Sequence, residues 1–405
     1  MPLTFADTLS GRQTPVRPRP GRPLALYVCG PTVNDRAHLG HGRTYLYFDL
    51  VRRYYRDRGV RVRHVMNITD FEDKITERAI RLDLSWRSLA RREERRFKSD
   101  LLGLKILPPH LQPRASSFVP AMIRLIQRLE RKNRIHREGD SWFYRTTTPH
   151  DPRNFPIGAE LSRHAVPEPG QPIEALDLVN REFLVWRQQL PPAASWNSPW
   201  GRGAPGWHLE CFTMAERHLG IPVDIHGGGQ DLIFPHHYAE NEIALTLGGT
   251  LFSRHFLHTA FVTENGKKLS KSAGNLAPLR GALTDFGPDA LRMYLLAPPR
   301  AVRLDWRRND LEKVASRFAD LRQLSRGSLA GGAGGSLDVR QLEGVTRRIR
   351  THLEQGFRVE RAIEEIWRWG DVLGGAYRGA FARGDRRRAA GEYARLEQLT
   401  GVALV

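Results

Sequence analysis

The run Leu24-Ala-Leu-Tyr-Val-Cys29, stopped by Gly30-Pro31, leaves the chain few folds to choose from. A short uncharged apolar run without alternation reads as a strand covered on both faces, which is the environment of a parallel sheet. After the Gly-Pro turn, His38-Leu-Gly-His41 opens a helical stretch that continues through Thr44–Tyr55. Val60-Arg-Val-Arg-His-Val-Met66 then alternates as a strand and runs into Asn67-Ile-Thr-Asp70. Strand, loop, helix and strand make a βαβ unit, whose ligands sit beyond the strand C-termini. The expected class is α/β, built on a Rossmann-type nucleotide-binding domain.

The rest of the chain divides around that unit. From about Leu89 to Arg187 the α/β pattern lapses. There Met122, Leu125, Ile126 and Leu129 recur at helical spacing, Gly139–Tyr144 reads as part of a hairpin, and a Pro-rich stretch follows. This predicts a connective subdomain at 89–187, inserted between two halves of the catalytic domain at 1–88 and 188–280. The second half resumes with strands at Pro222–Ile225 and Phe256–Val262. After a linking segment at 281–310, helical spacing at Leu311–Leu324, Val345–Leu373 and Ala389–Val402 predicts an all-α helical bundle over 311–405. The Gly-rich linker Gly331–Ser336 interrupts it.

Two short motifs suit phosphate chemistry. His38 and His41 project from one side of a helix start, where the dipole favours anions, and Gly40 lets the backbone approach a ligand closely. Lys268 and Lys271, with Ser270 between them on a Gly-flanked loop, suit a mobile clamp on departing phosphates. Each motif taken alone also fits ordinary solvated surface. The chain has only two cysteines, Cys29 and Cys211. Buried inert thiols are one reading. A metal centre is the other: His236 and Glu240 stand one helical turn apart, and two thiolates, an imidazole and a carboxylate fit a tetrahedral zinc ion. His237 with Glu242 is the competing pair, at a spacing that splays the side chains apart.

With Lys and Arg totalling 63 against 44 Asp and Glu, the formal charge of +19 suggests a polyanionic partner. The runs Arg347-Arg348-Ile-Arg350 and Arg386–Arg388 are either solvated helix faces or nucleic-acid contacts. No apolar run is long enough to span a bilayer, and Met1–Arg22 lacks the apolar centre of a secretory signal. A cytoplasmic location with no membrane contact is expected.

The two motifs resemble the HIGH and KMSKS signatures of class I aminoacyl-tRNA synthetases. The blocks around them are similar to the cysteinyl-tRNA synthetase family: Leu26–Val33, Asn67–Asp70 with Asp73-Lys74, Leu107–Ala115, Pro199–Cys211 and His226–His237. The resemblance is close over residues 20–310 and loose over the bundle. It implies a ligase, monomeric, that uses ATP with Mg2+ to turn L-cysteine into cysteinyl-adenylate and transfers it to tRNA(Cys). It implies one zinc per chain on Cys29, Cys211, His236 and Glu240. His38, His41, Lys268 and Lys271 would then be catalytic, with Gly40, Gly227, Gly228 and Ser270 also at the ATP. Gly30, Thr32, Thr69, Trp207, His226 and Asp231 would shape the cysteine pocket.

Three features depart from the family pattern. Asn34 and Arg36 stand where an aromatic pair is commoner. Tyr238-Ala239 replaces an acidic helix start, and a gap in the alignment there would exchange Glu240 for Glu242. No anticodon-reading domain is recognised after the bundle. That leaves a small amine as the alternative acceptor, as in the family's relative in mycothiol biosynthesis, which joins cysteine to an amino-sugar inositol.

Overall fold

Leu24–Val28 (β1) is buried at every position because it pairs in parallel on both sides. Val62–Met66 (β2) flanks it on one side and Ile225–Gly229 (β3) on the other, with Phe256–Thr259 (β4) beyond β3. The computed structural model describes residues 3–146, 153–155, 176–177, 182–269, 277–330, 336–375 and 380–405. The register sets Val28 beside both Gly227 and Met66. Chain order reverses at β1, so the crevice beyond the C-termini of β1 and β3 is a topological switch point, where α/β sheets bind ligands. Leu39–Asp57 (α1) packs across the sheet and buries Leu46, Phe48, Leu50 and Val51.

Two strands differ from expectation. The segment expected at Pro222–Ile225 is a strand only from Ile225, and it continues through His226-Gly-Gly-Gly229. Pairing with β4 along the whole glycine run, and with β1 as far as Gly227, holds it extended, which overrides its low strand propensity. The segment Phe256–Val262 breaks after Thr259, and Val262–Glu264 joins a separate small sheet.

Within the insertion, the helix Val119–Glu130 buries Val119, Met122, Leu125, Ile126 and Leu129. The hairpin Ile135–Glu138 and Ser141–Tyr144 is widened by antiparallel Glu182–Gln188 and Gly203–Pro205. The last of these leads through Gly206 and Trp207 straight into His208–His218 (α2).

The helical region contains Arg308–Ala330, Val339–Glu354, Val359–Gly374 and Arg386–Thr400. The periodic stretch Val345–Leu373 breaks near Gly356 and Phe357, both at positive φ. Residues 331–335 of the Gly-rich linker lie outside the described residues. The bundle docks on α1 through ion pairs. Arg292, fully buried, reaches Asp49 Oδ2 and the Thr400 carbonyl, each at 2.7 Å. Arg350 donates to Asp57 at 2.8 Å. Much of the basic run is neutralised internally, since Arg348 pairs with Glu365 and Arg388 with Glu343, both at 2.6 Å. No helix among the described residues is long and apolar enough to cross a membrane.

Candidate active site and metal centre

Helix α1 starts on its own two histidines. His38 is the N-cap: its Nδ1 accepts the Gly40 N–H at 3.1 Å, and His41 Nδ1 accepts the His38 N–H at 3.3 Å. The rings lie 3.9 Å apart. With Nδ1 an acceptor in each ring, the neutral imidazoles carry their proton on Nε2. A Cβ on Gly40 would fall 2.9 Å from the His38 ring, so packing inside the motif itself demands glycine.

The lysine loop is tied to the same place. Leu39 N–H donates to the Ala277 carbonyl at 3.1 Å and Leu279 N–H to the Ala37 carbonyl at 2.9 Å, setting Pro278 beside His38. At its other end Lys267–Lys268 pairs antiparallel with Val262–Glu264. Ser270 and Lys271 lie outside the described residues, and Lys268 is described by its backbone alone.

The cysteines meet beyond β1. Cys29 follows that strand directly, and Cys211 comes from α2. His236 lies in a wide turn, Ile233–His237, that precedes Tyr238–Gly248 (α3), the helix carrying Glu240. The backbone break falls at Phe234, which is extended, and from His236 into α3 it is helical, so His236 and Glu240 converge at one-turn spacing. The sulfurs are 3.6 Å apart, and the ligand atoms of all four residues lie within 4.8 Å of one another. Glu242 turns away and accepts from Asn154 Nδ2 at 2.8 Å.

All four residues are buried. Burial holds His236 well below the usual imidazole range, so the ring is neutral. Its Nε2 stands 3.5 Å from Glu240 Oε1, and neither atom has a hydrogen-bond partner among the described residues. With the His236 proton on Nδ1, toward His208, two lone-pair atoms face each other in a dry interior and call for a cation between them. Burial also pushes both thiols and the Glu240 carboxyl up, a penalty that a bound cation reverses. The set of two sulfurs, one nitrogen and one oxygen fits zinc. Outer partners orient it: His226 Nε2 is 2.7 Å from Glu240 Oε2, and His208 Nδ1 is 3.2 Å from His236 Nδ1. His237 Nε2 lies 3.3 Å from Cys29 Sγ, with His258 Nε2 2.7 Å from its Nδ1.

The surrounding residues form one network. Trp207 stacks on His236 at 4.2 Å. Thr69 donates to Glu210 at 2.6 Å and accepts from Asn67 Nδ2 at 3.2 Å. Asn67 Oδ1 in turn accepts the Gly30 N–H at 2.7 Å and lies 3.5 Å from Cys211 Sγ. A Cβ on Gly30 would sit 1.7 Å from the Asn67 carbonyl, and one on Gly227 would sit 2.1 Å from the Phe48 ring. On Gly228 it would meet Leu232 at 2.6 Å. Thr32 bridges to Thr69, and Asp231 lies in the turn Gln230–Leu232 directly after β3. Sequence reasoning gave no role to His208, Glu210 or Asn67. Their signal was positional: His208 stands one turn before Cys211 on α2, and Asn67 directly follows β2.

Residues 16–316 match the family described as tRNA synthetases class I (C) catalytic domain. A cysteine–tRNA ligase of Aeropyrum pernix is 37% identical over 377 residues, covering 89% of this chain and 78% of the relative. One from Thermococcus onnurineus is 36% identical over 80% of this chain and 69% of its own length. One from Anaeromyxobacter sp. strain Fw109-5 is 35% identical, over 96% and 80%. Among solved structures, Mycobacterium tuberculosis methionyl-tRNA synthetase in complex with methionyl-adenylate aligns with a TM-score of 0.65 at 18% identity, over 93% of this chain and 89% of that one. The ternary complex of Agrobacterium radiobacter K84 agnB2 LeuRS, tRNA and LeuAMS aligns at 0.66 and 13% identity, over 95% and 84%. At those identities the likeness is one of fold. By the family match and its relatives in sequence, the chain belongs to the class I (C) tRNA synthetase family and is a ligase.

Proposed function

We propose that this chain activates L-cysteine with ATP and passes it to tRNA(Cys), with a zinc ion held by Cys29, Cys211, His236 and Glu240 at the thiol end of the pocket. The observation that carries the reading is the buried, unpartnered pair His236 Nε2 and Glu240 Oε1, set beside the only two cysteines. When bound, zinc supplies a soft Lewis acid that prefers a thiolate to a hydroxyl, which is the difference between cysteine and serine. Packing alone separates such close analogues by only about 1–3 kcal/mol.

The chain's own residues do the rest. Trp207, fixed by its stack on His236, walls the pocket. Thr69 and Thr32 line it, with Gly30 as backbone floor, His226 steadying Glu240 and Asp231 pairing with the substrate ammonium. His38 and His41 donate their Nε2–H groups to the triphosphate, and Gly40, Gly227 and Gly228 keep side chains out of the nucleotide's way. The cysteine carboxylate attacks the α-phosphorus, and the bond to pyrophosphate breaks. Lys268 and Lys271, with Ser270, close over the departing charge, and Mg2+ accompanies the ATP. No side-chain nucleophile is needed, so catalysis is positioning and charge stabilisation.

Cysteine-dependent exchange of pyrophosphate into ATP, measured without RNA, is the test of activation. No exchange would sink the reading. The tRNA acceptor rests on the activity named for the relatives. Charging of a tRNA(Cys) transcript supports it, whereas amide formation on small amines without charging would replace it.

A further inference from the structure

An arginine-lined cleft of about 360 Å³ opens beside the nucleotide motif, bounded by Arg36, Arg92, Arg95, Arg96, Asp100 and Arg280. Three of the arginines come from one face of the helix Trp86–Gly103. Arg36 comes from the segment just before His38, and Arg280 from just after Pro278, the residue bridged to His38. Its mouth therefore shares two backbone segments with the ATP motif.

The charges in the cleft are not balanced within the protein. Arg92 and Arg96 share a single oxygen, Glu93 Oε1, each at 2.9 Å. The guanidinium groups of Arg36 and Arg95 have no hydrogen bond or ion pair among the described residues. Asp100 is 2% exposed, its Oδ1 lies 3.9 Å from Arg280, and its Oδ2 has no hydrogen-bond partner. The site thus offers several planar forks for phosphate and one buried acceptor that wants a donor. A free pyrophosphate would engage few of these forks and would be repelled by Asp100. A ribonucleotide strand supplies successive phosphates for the arginines and a 2′-hydroxyl for the carboxylate.

We propose that this cleft binds the sugar–phosphate backbone of a single-stranded RNA end, holding it next to the adenylate site. This rests on the reading that the acceptor is an RNA. It assigns the grip on that RNA to the helix Trp86–Gly103 and to Arg280, rather than to the arginine runs of the bundle.

The test is fluorescence anisotropy of a short labelled single-stranded RNA and its DNA counterpart, titrated with the full chain across a salt series. Arg95→Ala with Arg280→Ala should weaken RNA binding at least tenfold. It should also flatten the plot of log affinity against log salt by about 1.4, two contacts at about 0.7 each for single strands. Cysteine-dependent pyrophosphate exchange should stay at the parent rate, which shows that the variant folds. Asp100→Asn should narrow the preference for RNA over DNA. Unchanged RNA affinity in the double variant, equal binding of RNA and DNA by the parent, or displacement of the RNA by equimolar pyrophosphate would each overturn the proposal. Absence of exchange or of tRNA charging in the parent protein would instead count against the function proposed above, whatever the RNA binds.

Discussion

Glu240 and Glu242 lie on the same helix, are both buried and face different neighbours. Glu240 points at the cysteines and His236, while Glu242 is held by Asn154. Glu240→Gln should therefore lower zinc affinity by tenfold or more, with pyrophosphate exchange falling alongside, and Glu242→Gln should leave bound zinc at about one per chain. Zinc content after dialysis against a graded chelator reads both. Equal loss in the two variants would remove Glu240 from the metal centre. His226→Gln, which alters the partner of the far oxygen of Glu240 and a ring 4.0 Å from Cys29 Sγ, should weaken zinc by about 10–100-fold, as outer partners of metal ligands do. At this scale the sequence was informative where residue type limits chemistry, because two cysteines, a histidine and a carboxylate have few uses in common. It was silent on His208 and Asn67, whose importance comes from what they touch across the fold.

The sheet fits α1 through absences as much as through side chains. Gly227 leaves the space that the Phe48 ring fills, so Gly227→Ala forces a Cβ to within 2.1 Å of that ring. The expected cost is about 1–3 kcal/mol of stability, the usual range for overpacking. Phe48→Leu in the same chain should recover part of it, in a double-variant cycle read by denaturant midpoint. Additive losses would mean that the ring and the glycine do not share the space. Strands β1 and β2 were legible because apolar runs with clear stops have few alternatives. β3 was legible only in part. Three successive glycines carry no pattern, and only pairing with β4, joined by β1 at Gly227, makes them a strand. The one-turn spacing of His236 and Glu240 was legible, but the extended break at Phe234 just before them was not, because no residue pattern marks it.

At the scale of the molecule, Asp49 and Arg292 join the catalytic helix to the last helix of the bundle through Thr400. Burial would raise the Asp49 carboxyl, but Arg292 and Arg53 outweigh it and hold it below the ordinary carboxylate value. A depressed folded-state value contributes stability above the unfolded value, about 3.9, and that contribution is lost as pH falls through the folded value. Asp49→Asn should cost about 3–5 kcal/mol near neutral pH, since it strands a buried guanidinium. The gap between parent and variant should close below about pH 4. A gap that held constant down to pH 3 would contradict this account. The change from parallel strands to the helices Arg308–Ala330, Val339–Glu354, Val359–Gly374 and Arg386–Thr400 follows a change in hydrophobic period that the sequence displays. How the parts dock was not legible, because single arginines such as Arg292 and Arg350 look like any other in so basic a chain.

Cys29 and Cys211 are 182 residues apart, and β1 waits still longer for β3. A ribosome adding about 5–20 residues per second delivers the second thiol roughly 9–36 s after the first. Until α2 has emerged, Cys29 is a lone sulfur at the end of a half-built sheet, and His236 and Glu240 follow later still. The cluster of Cys29, Cys211, His236 and Glu240 is thus completed late in biosynthesis, after the hairpin and helix that lie between its cysteines in sequence have emerged.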